Sequence, residues 1–174
     1  MKKKFNRRSI RLPEYDYSKA GAYFVTICSF DKELIFGKIT NGQIILSEVG
    51  RIALKYLEEI PKHFDDVFVD ENVIMPNHIH IIISIVGAQN FEPQRNEYQK
   101  IIPKSIGSII RSYKAAVTKW CRENGLNDFK WQRNFFEHII RNDEDYIRIR
   151  EYIRNNLLQW ELDEENPLGT NFVK

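Results

Sequence analysis

His78-Ile79-His80-Ile81-Ile82-Ile83-Ser84-Ile85-Val86 is the stretch on which the fold turns. A run this rich in isoleucine, bounded by Pro76-Asn77 and Gly87, reads as a β-strand covered on both faces, and therefore as a central strand of its sheet. Because side chains alternate along a strand, His78 and His80 share one face while Ile79, Ile81 and Ile83 take the other. Two imidazoles on an apolar strand each require a polar partner, since an unpaired buried polar group costs about 1–3 kcal/mol. A divalent metal satisfies both at once, and two separately hydrogen-bonded histidines are the alternative.

Working outward, Val67 to Met75 reads as the strand that precedes it. Tyr23-Phe24-Val25-Thr26-Ile27-Cys28-Ser29-Phe30, aromatic and β-branched, reads as another. Phe36 to Thr40 and Gln43 to Leu46 flank Asn41-Gly42, the pair that best supplies two positive φ angles, which predicts a hairpin. Ser47 with Glu48 opens a helix whose apolar residues recur at helical spacing to Ile60, with Pro61 as its stop. Ser105 to Glu123 is a second helix, ended by Asn124-Gly125. Its stripe of Ile106, Ile109, Ile110, Tyr113, Val117, Trp120 and Cys121 opposes a basic face. Phe135 to Ile140 predicts a strand, and a last helix begins at Asn142, whose side chain caps it, and is expected to run to about Trp160. Strands first and last, with helices between antiparallel neighbours, predict an α+β fold: a ferredoxin-like antiparallel sheet with helices packed on it.

The 174 residues suit one domain, with 43% apolar side chains to fill a core. No apolar run approaches the ~20 residues of a membrane span, and no apolar segment follows the basic N-terminus, so a soluble, cytoplasmic protein with no membrane partner is expected. Cys28 and Cys121 fall on apolar positions far apart in sequence and are read as reduced core residues. The net charge of +2 hides a segregation. Residues 1–13 hold Lys2, Lys3, Lys4, Arg7, Arg8 and Arg11 without an acid. Residues 99–122 hold Lys100, Lys104, Arg111, Lys114, Lys119 and Arg122, again without one. The remaining 14 basic residues face all 24 acidic ones, a balance of −10. Two such segments are the electrostatic footprint of a phosphate-binding face. The chain divides into a basic arm (1–20), a globular unit (21–162) and a C-terminal tail (163–174).

On the last helix Tyr146, Ile149, Ile153, Leu157 and Trp160 form the packed face. Tyr152 and Asn156 lie one turn apart at its edge, with Arg148 one turn earlier. An edge position lets a side chain touch the sheet while staying open to a substrate.

The His-hydrophobic-His strand, the helix carrying a tyrosine with an amide four residues on, and Trp131-Gln132-Arg133-Asn134-Phe135-Phe136-Glu137-His138-Ile139-Ile140-Arg141-Asn142 between them resemble the single-tyrosine HUH transposases, specifically the REP-associated tyrosine transposases. The likeness runs from Tyr23 to about Trp160 and includes Ser105-Ile106-Gly107-Ser108-Ile109-Ile110-Arg111. One departure is Leu157, where such relatives usually carry proline after the asparagine; leucine is expected to let the helix continue. The resemblance implies that His78, His80 and Asn156 bind a divalent metal, Mg²⁺ or Mn²⁺. It also implies that Tyr152 attacks a phosphodiester of single-stranded, hairpin-bearing DNA to leave a 5′-phosphotyrosine. DNA contacts are expected from Lys3, Lys4, Arg7, Arg8, Arg11, Lys104, Arg111, Lys114 and Arg148, in a monomer or homodimer. The alternative is a non-catalytic nucleic-acid-binding module on the same fold, with Tyr152 merely structural.

Overall fold

The computed structural model describes residues 20–86, 105–162 and 166–167. The chain opens with β1 (Gly21–Cys28), a 3-10 turn at Phe30–Lys32, and a hairpin of β2 (Gly37–Thr40) and β3 (Gln43–Leu46). Then follow α1 (Glu48–Glu58), α2 (Ile60–His63), β4 (Val67–Ile74), β5 (His78–Ile85), α3 (Ile106–Glu123), β6 (Phe136–Ile140), α4 (Asp143–Asn155) and a closing 3-10 segment, Asn156–Leu162. Four strands form an antiparallel sheet in the order β4-β5-β1-β6. Without the separate β2-β3 hairpin and α2, this is the βαββαβ arrangement of a ferredoxin-like fold, with α4 added at the end.

The sheet has two unlike faces. Tyr23, Val25 and Ile27 of β1, with Ile79, Ile81, Ile83 and Ile85 of β5, pack against Val49, Ala53 and Leu57 of α1 and Ile106, Ile109, Ile110, Tyr113, Val117 and Cys121 of α3. The alternate residues, Phe24, Ile82 and Ile140, pack against Ile149 and Ile153 of α4. All of β5 but Ser84 is buried, as expected of a central strand covered on both sides. Cys28 and Cys121 are buried free thiols. No helix among the described residues is long and apolar enough to cross a membrane.

Local chemistry sets the element ends. Asn41 and Gly42 both adopt positive φ, 52° and 70°, so the hairpin closes with the turn that suits strand twist. Ser47, Ser105 and Asn142 each accept a hydrogen bond from a first-turn amide of α1, α3 and α4. Two helix ends depart from expectation. Pro61 does not stop the helical run: α1 ends at Glu58, and Pro61 sits in the first turn of α2, where a missing N–H leaves nothing unsatisfied. The closing helix is α-helical only to Asn155 and tightens into a 3-10 segment from Asn156 to Leu162, so Leu157 does not prolong the α-helix to Trp160.

α4 is fixed by charge as well as by packing. The β4-β5 register breaks between Val69 and Asn72, so Asp70 and Glu71 form a bulge. Tyr146 donates to Asp70 at 2.6 Å, Arg150 reaches Asp70 at 3.2 Å, and Arg154 donates to Glu71 at 2.7 Å. Each partly exposed pair contributes at most about 1 kcal/mol, but together they set where along the sheet the helix lies.

Gly50 shows how closely α1 approaches the hairpin. A Cβ there would stand 1.9 Å from the Phe36 carbonyl oxygen, a backbone atom that cannot rotate away. Gly50→Ala is therefore expected to destabilise the chain by about 3 kcal/mol, the upper range for overpacking. Urea unfolding checks this, and an unchanged midpoint would show that α1 and the hairpin separate freely.

Candidate active site on the α4 face of the sheet

In the β1-β5 register Thr26 lies opposite His80, and Cys28 opposite His78. The imidazoles are buried at 0% and 3% exposure, and each is gripped from behind. Asn77 Oδ1 accepts from His78 Nδ1 at 2.9 Å, while Asn77 Nδ2 donates to the Lys32 carbonyl at 3.3 Å, which fixes which way the amide faces. His78 thus carries its proton on Nδ1. Thr26 Oγ1 lies 2.9 Å from His80 Nδ1, and a hydroxyl satisfies either tautomer there. Both Nε2 atoms are left to converge, 3.0 Å apart. Burial, with a smaller effect from the Lys32 charge, lowers the His78 pKa to about 3, so this ring is neutral over the ordinary pH range.

α4 brings the nucleophile candidate to this pair. The Tyr152 hydroxyl lies 3.3 Å from His80 Nε2, with ring centroids 5.2 Å apart. Phe24 packs against both rings, 5.2 Å from His80 and 6.0 Å edge-on to Tyr152. Tyr152 is 42% exposed, which places its phenol at the boundary between the buried imidazoles and solvent. Trp160 covers His78 at 6.0 Å. Asn156 lies in the chain between these two covering residues; it is 1% exposed, and its Oδ1 has no hydrogen-bond partner among the described residues. No cluster of three His, Cys, Asp or Glu that could hold a metal occurs among the described residues.

Beside Tyr152 a cavity is lined by Phe24, Phe136, His138, Arg148, Ile149 and Tyr152. Asp145 accepts from His138 Nε2 at 2.7 Å and from Arg148, holding both around the cavity; these bonds keep its carboxyl below the usual range.

The expected DNA contacts divide differently. Arg148 faces the Tyr152 cavity. Arg111 is exposed, but α3 packs on the other face of the sheet, away from the imidazoles. Lys114, expected as a DNA contact, is engaged within the fold. Its Nζ donates to the carbonyls of Gln132 and Asn134 at 2.7 and 2.9 Å, over the Trp131 ring, and burial lowers its pKa to about 8. Lys3, Lys4, Arg7, Arg8, Arg11 and Lys104 lie outside the described residues. Sequence reasoning missed Thr26 and Asn77 as supports of the imidazoles. Asn77 adjoins His78 and was within reach, whereas Thr26 is identified only by strand register.

No family model matches the chain. A protein of uncharacterized function from Haemophilus influenzae is 46% identical over 166 residues, spanning 91% of this chain and 92% of its own. A candidate REP-associated tyrosine transposase of the same organism is 28% identical over 142 residues, spanning 81% of this chain and 72% of its own. The solved structure of a REP-associated tyrosine transposase bound to a REP hairpin superposes with a TM-score of 0.61 at 20% identity, covering 87% of this chain and 74% of that one. The chain resembles the REP-associated tyrosine transposases in sequence and in fold.

A buried carbonyl oxygen with no partner lowers stability by about 1–3 kcal/mol. Asn156→Leu, close in volume and free of polar atoms, is thus expected to raise the stability of the metal-free chain by about 1 kcal/mol, read as a higher urea midpoint. A lower midpoint would mean that the amide already has an internal structural role.

Proposed function

We propose that this chain is a metal-dependent, transposase-like nuclease that cleaves and rejoins single-stranded, hairpin-bearing DNA through a 5′-phosphotyrosine intermediate. The observation that carries the reading is the 3.3 Å approach of the Tyr152 hydroxyl to an imidazole pair whose Nε2 atoms converge at 3.0 Å. The relatives named as REP-associated tyrosine transposases, one of them bound to a hairpin, support the substrate class.

The imidazoles fit a divalent cation. Two nitrogens each about 2.1 Å from one ion, at about a right angle, stand about 3.0 Å apart. The orphaned Asn156 Oδ1 is a hard oxygen donor of the kind that accompanies imidazole at Mg²⁺ or Mn²⁺ sites. His78, His80 and Asn156 would hold that ion, which when bound polarises the scissile phosphate. Thr26 and Asn77 orient the rings from behind, as outer hydrogen bonds do for metal-ligating histidines.

Tyr152 is the nucleophile. Its oxygen bonds to phosphorus as the bond from phosphorus to the 3′ oxygen breaks; the phenolic proton leaves, and the departing oxygen takes up a proton as a 3′-hydroxyl. Attack by a 3′-hydroxyl on the phosphotyrosine reverses the step and rejoins strands without an external energy source. A phenol with an ordinary pKa near ~10 is a weak nucleophile at neutral pH, so positioning and charge neutralisation must supply much of the rate. Arg148, held by Asp145, supplies positive charge to the cavity that Tyr152 also lines.

Incubation with hairpin-bearing single-stranded DNA and Mn²⁺, followed by denaturation, is expected to leave a protein-DNA adduct. Tyr152→Phe abolishes it and His78→Ala reduces it at least about 100-fold, the scale of losing one electrostatic stabiliser. No adduct across a broad set of hairpins, with tight binding retained, would favour a binding module instead. Thr26→Val, which leaves His80 Nδ1 without its partner, is expected to weaken Mn²⁺ binding about 10–100-fold in a calorimetric titration. Unchanged affinity would show that His80 takes no part in holding the ion.

A further inference from the structure

A second cavity opens on the same face of the sheet, lined by Thr26, Cys28, Gln132, Arg133, Asn134, Phe135 and Phe136. Phe136 also lines the cavity that holds Tyr152 and Arg148. It is the one residue common to the two, and it stands 50% exposed on the edge strand β6. Its ring meets Phe24 edge-on at 6.5 Å, and Phe24 in turn packs on Tyr152 and His80. A large apolar ring half in water, one ring removed from the nucleophile, is a surface awaiting a flat partner.

The wall beyond it is rigid and polar. Lys114 Nζ binds the carbonyls of Gln132 and Asn134, the Trp131 indole donates to the Lys114 carbonyl at 3.1 Å, and the Gln132 amide donates to the Cys28 carbonyl at 2.9 Å. Asn134 is held at a φ of 68°, a left-handed conformation uncommon outside glycine. With backbone groups of this segment engaged inward, the exposed side chains of Gln132, Arg133 and Asn134 are free to line the cavity with amide and guanidinium groups. Amides and a guanidinium on a fixed frame match the hydrogen-bonding edge of a nucleobase, and an exposed aromatic ring matches its face.

We propose that this cavity is a base-reading subsite: one unpaired nucleobase adjoining the scissile phosphate stacks on Phe136 and is read by Gln132, Arg133 and Asn134. The subsite rests on the reading of Tyr152 as a nucleophile toward single-stranded DNA. It adds a specificity element supplied by the segment before β6, with Lys114 acting as a positioning residue from the far side of the sheet.

The test uses the full chain with Mn²⁺ and a hairpin oligonucleotide carrying a randomised unpaired flank, selecting strands that form the Tyr152 adduct and strands that bind the Tyr152→Phe variant. The expected result is a base preference at one flank position. Phe136→Ala weakens binding of the selected strand about tenfold or more, the scale of one lost stacking contact. Phe136→Trp retains binding, and Gln132→Ala or Arg133→Ala relaxes the base preference without abolishing adduct formation. A photoreactive halogenated pyrimidine at the preferred position is expected to crosslink within residues 131–136. Adduct formation with no base preference, or with a preference untouched by all three alanine variants and crosslinks elsewhere, would overturn the subsite while leaving the nuclease intact. Crosslinking at Phe136 without any adduct would overturn the nuclease and with it the placing of the base beside a scissile phosphate, leaving a base-binding surface alone. Absence of both would overturn both.

Discussion

Everything at this site depends on a register: Thr26 of β1 lies opposite His80 of β5, with Cys28 opposite His78. Buried imidazoles must have their nitrogens satisfied, and the fold meets half of that requirement from behind, through Thr26 and Asn77. The other two nitrogens are left facing each other at hydrogen-bond distance. A slip of one residue between β1 and β5 would place hydrophobic Val25 or Ile27 opposite His80 and turn one of the strands over. The isoleucines that alternate with the histidines prevent this, because they are held by α1 and α3 on the opposite face. The core thus fixes the geometry of the imidazole pair from the opposite side of the sheet.

The second constraint is the seat of α4. Only two of its residues, Ile149 and Ile153, are fully buried, so apolar packing alone leaves the helix weakly located. The bulge in β4 turns Asp70 and Glu71 toward Tyr146, Arg150 and Arg154, which adds direction to that packing. Tyr152 then meets His80, and the change to 3-10 geometry at Asn156 carries the chain on to Trp160 over His78.

Much of this was legible in the sequence for physical reasons. Period-two alternation placed both histidines on one face, Asn41-Gly42 announced its hairpin, and the capping residues Ser47, Ser105 and Asn142 marked three helix starts. What escaped depends on relations that spacing does not encode. Pro61 was read as a stop because proline ends helices, yet its ring is equally at home in a first turn. That α3 lies across the sheet from the imidazoles, and that Lys114 donates to the carbonyls of Gln132 and Asn134, follows only from the folded chain. Thr26 carries no mark in sequence of its bond to His80, and the cavity between Phe136 and Arg133 exists only once β6 lies beside β1.

The central claim is that this pair of nitrogens, with the Asn156 oxygen, is a seat for a divalent cation facing a tyrosine nucleophile. Crystals of the protein soaked in Mn²⁺ and measured at a wavelength where manganese scatters anomalously test it most directly. The account predicts a single strong anomalous peak about 2.0–2.3 Å from His78 Nε2, His80 Nε2 and Asn156 Oδ1, with the Tyr152 phenol at its border. A site elsewhere, or imidazoles still hydrogen-bonded to each other at saturating Mn²⁺, would contradict it.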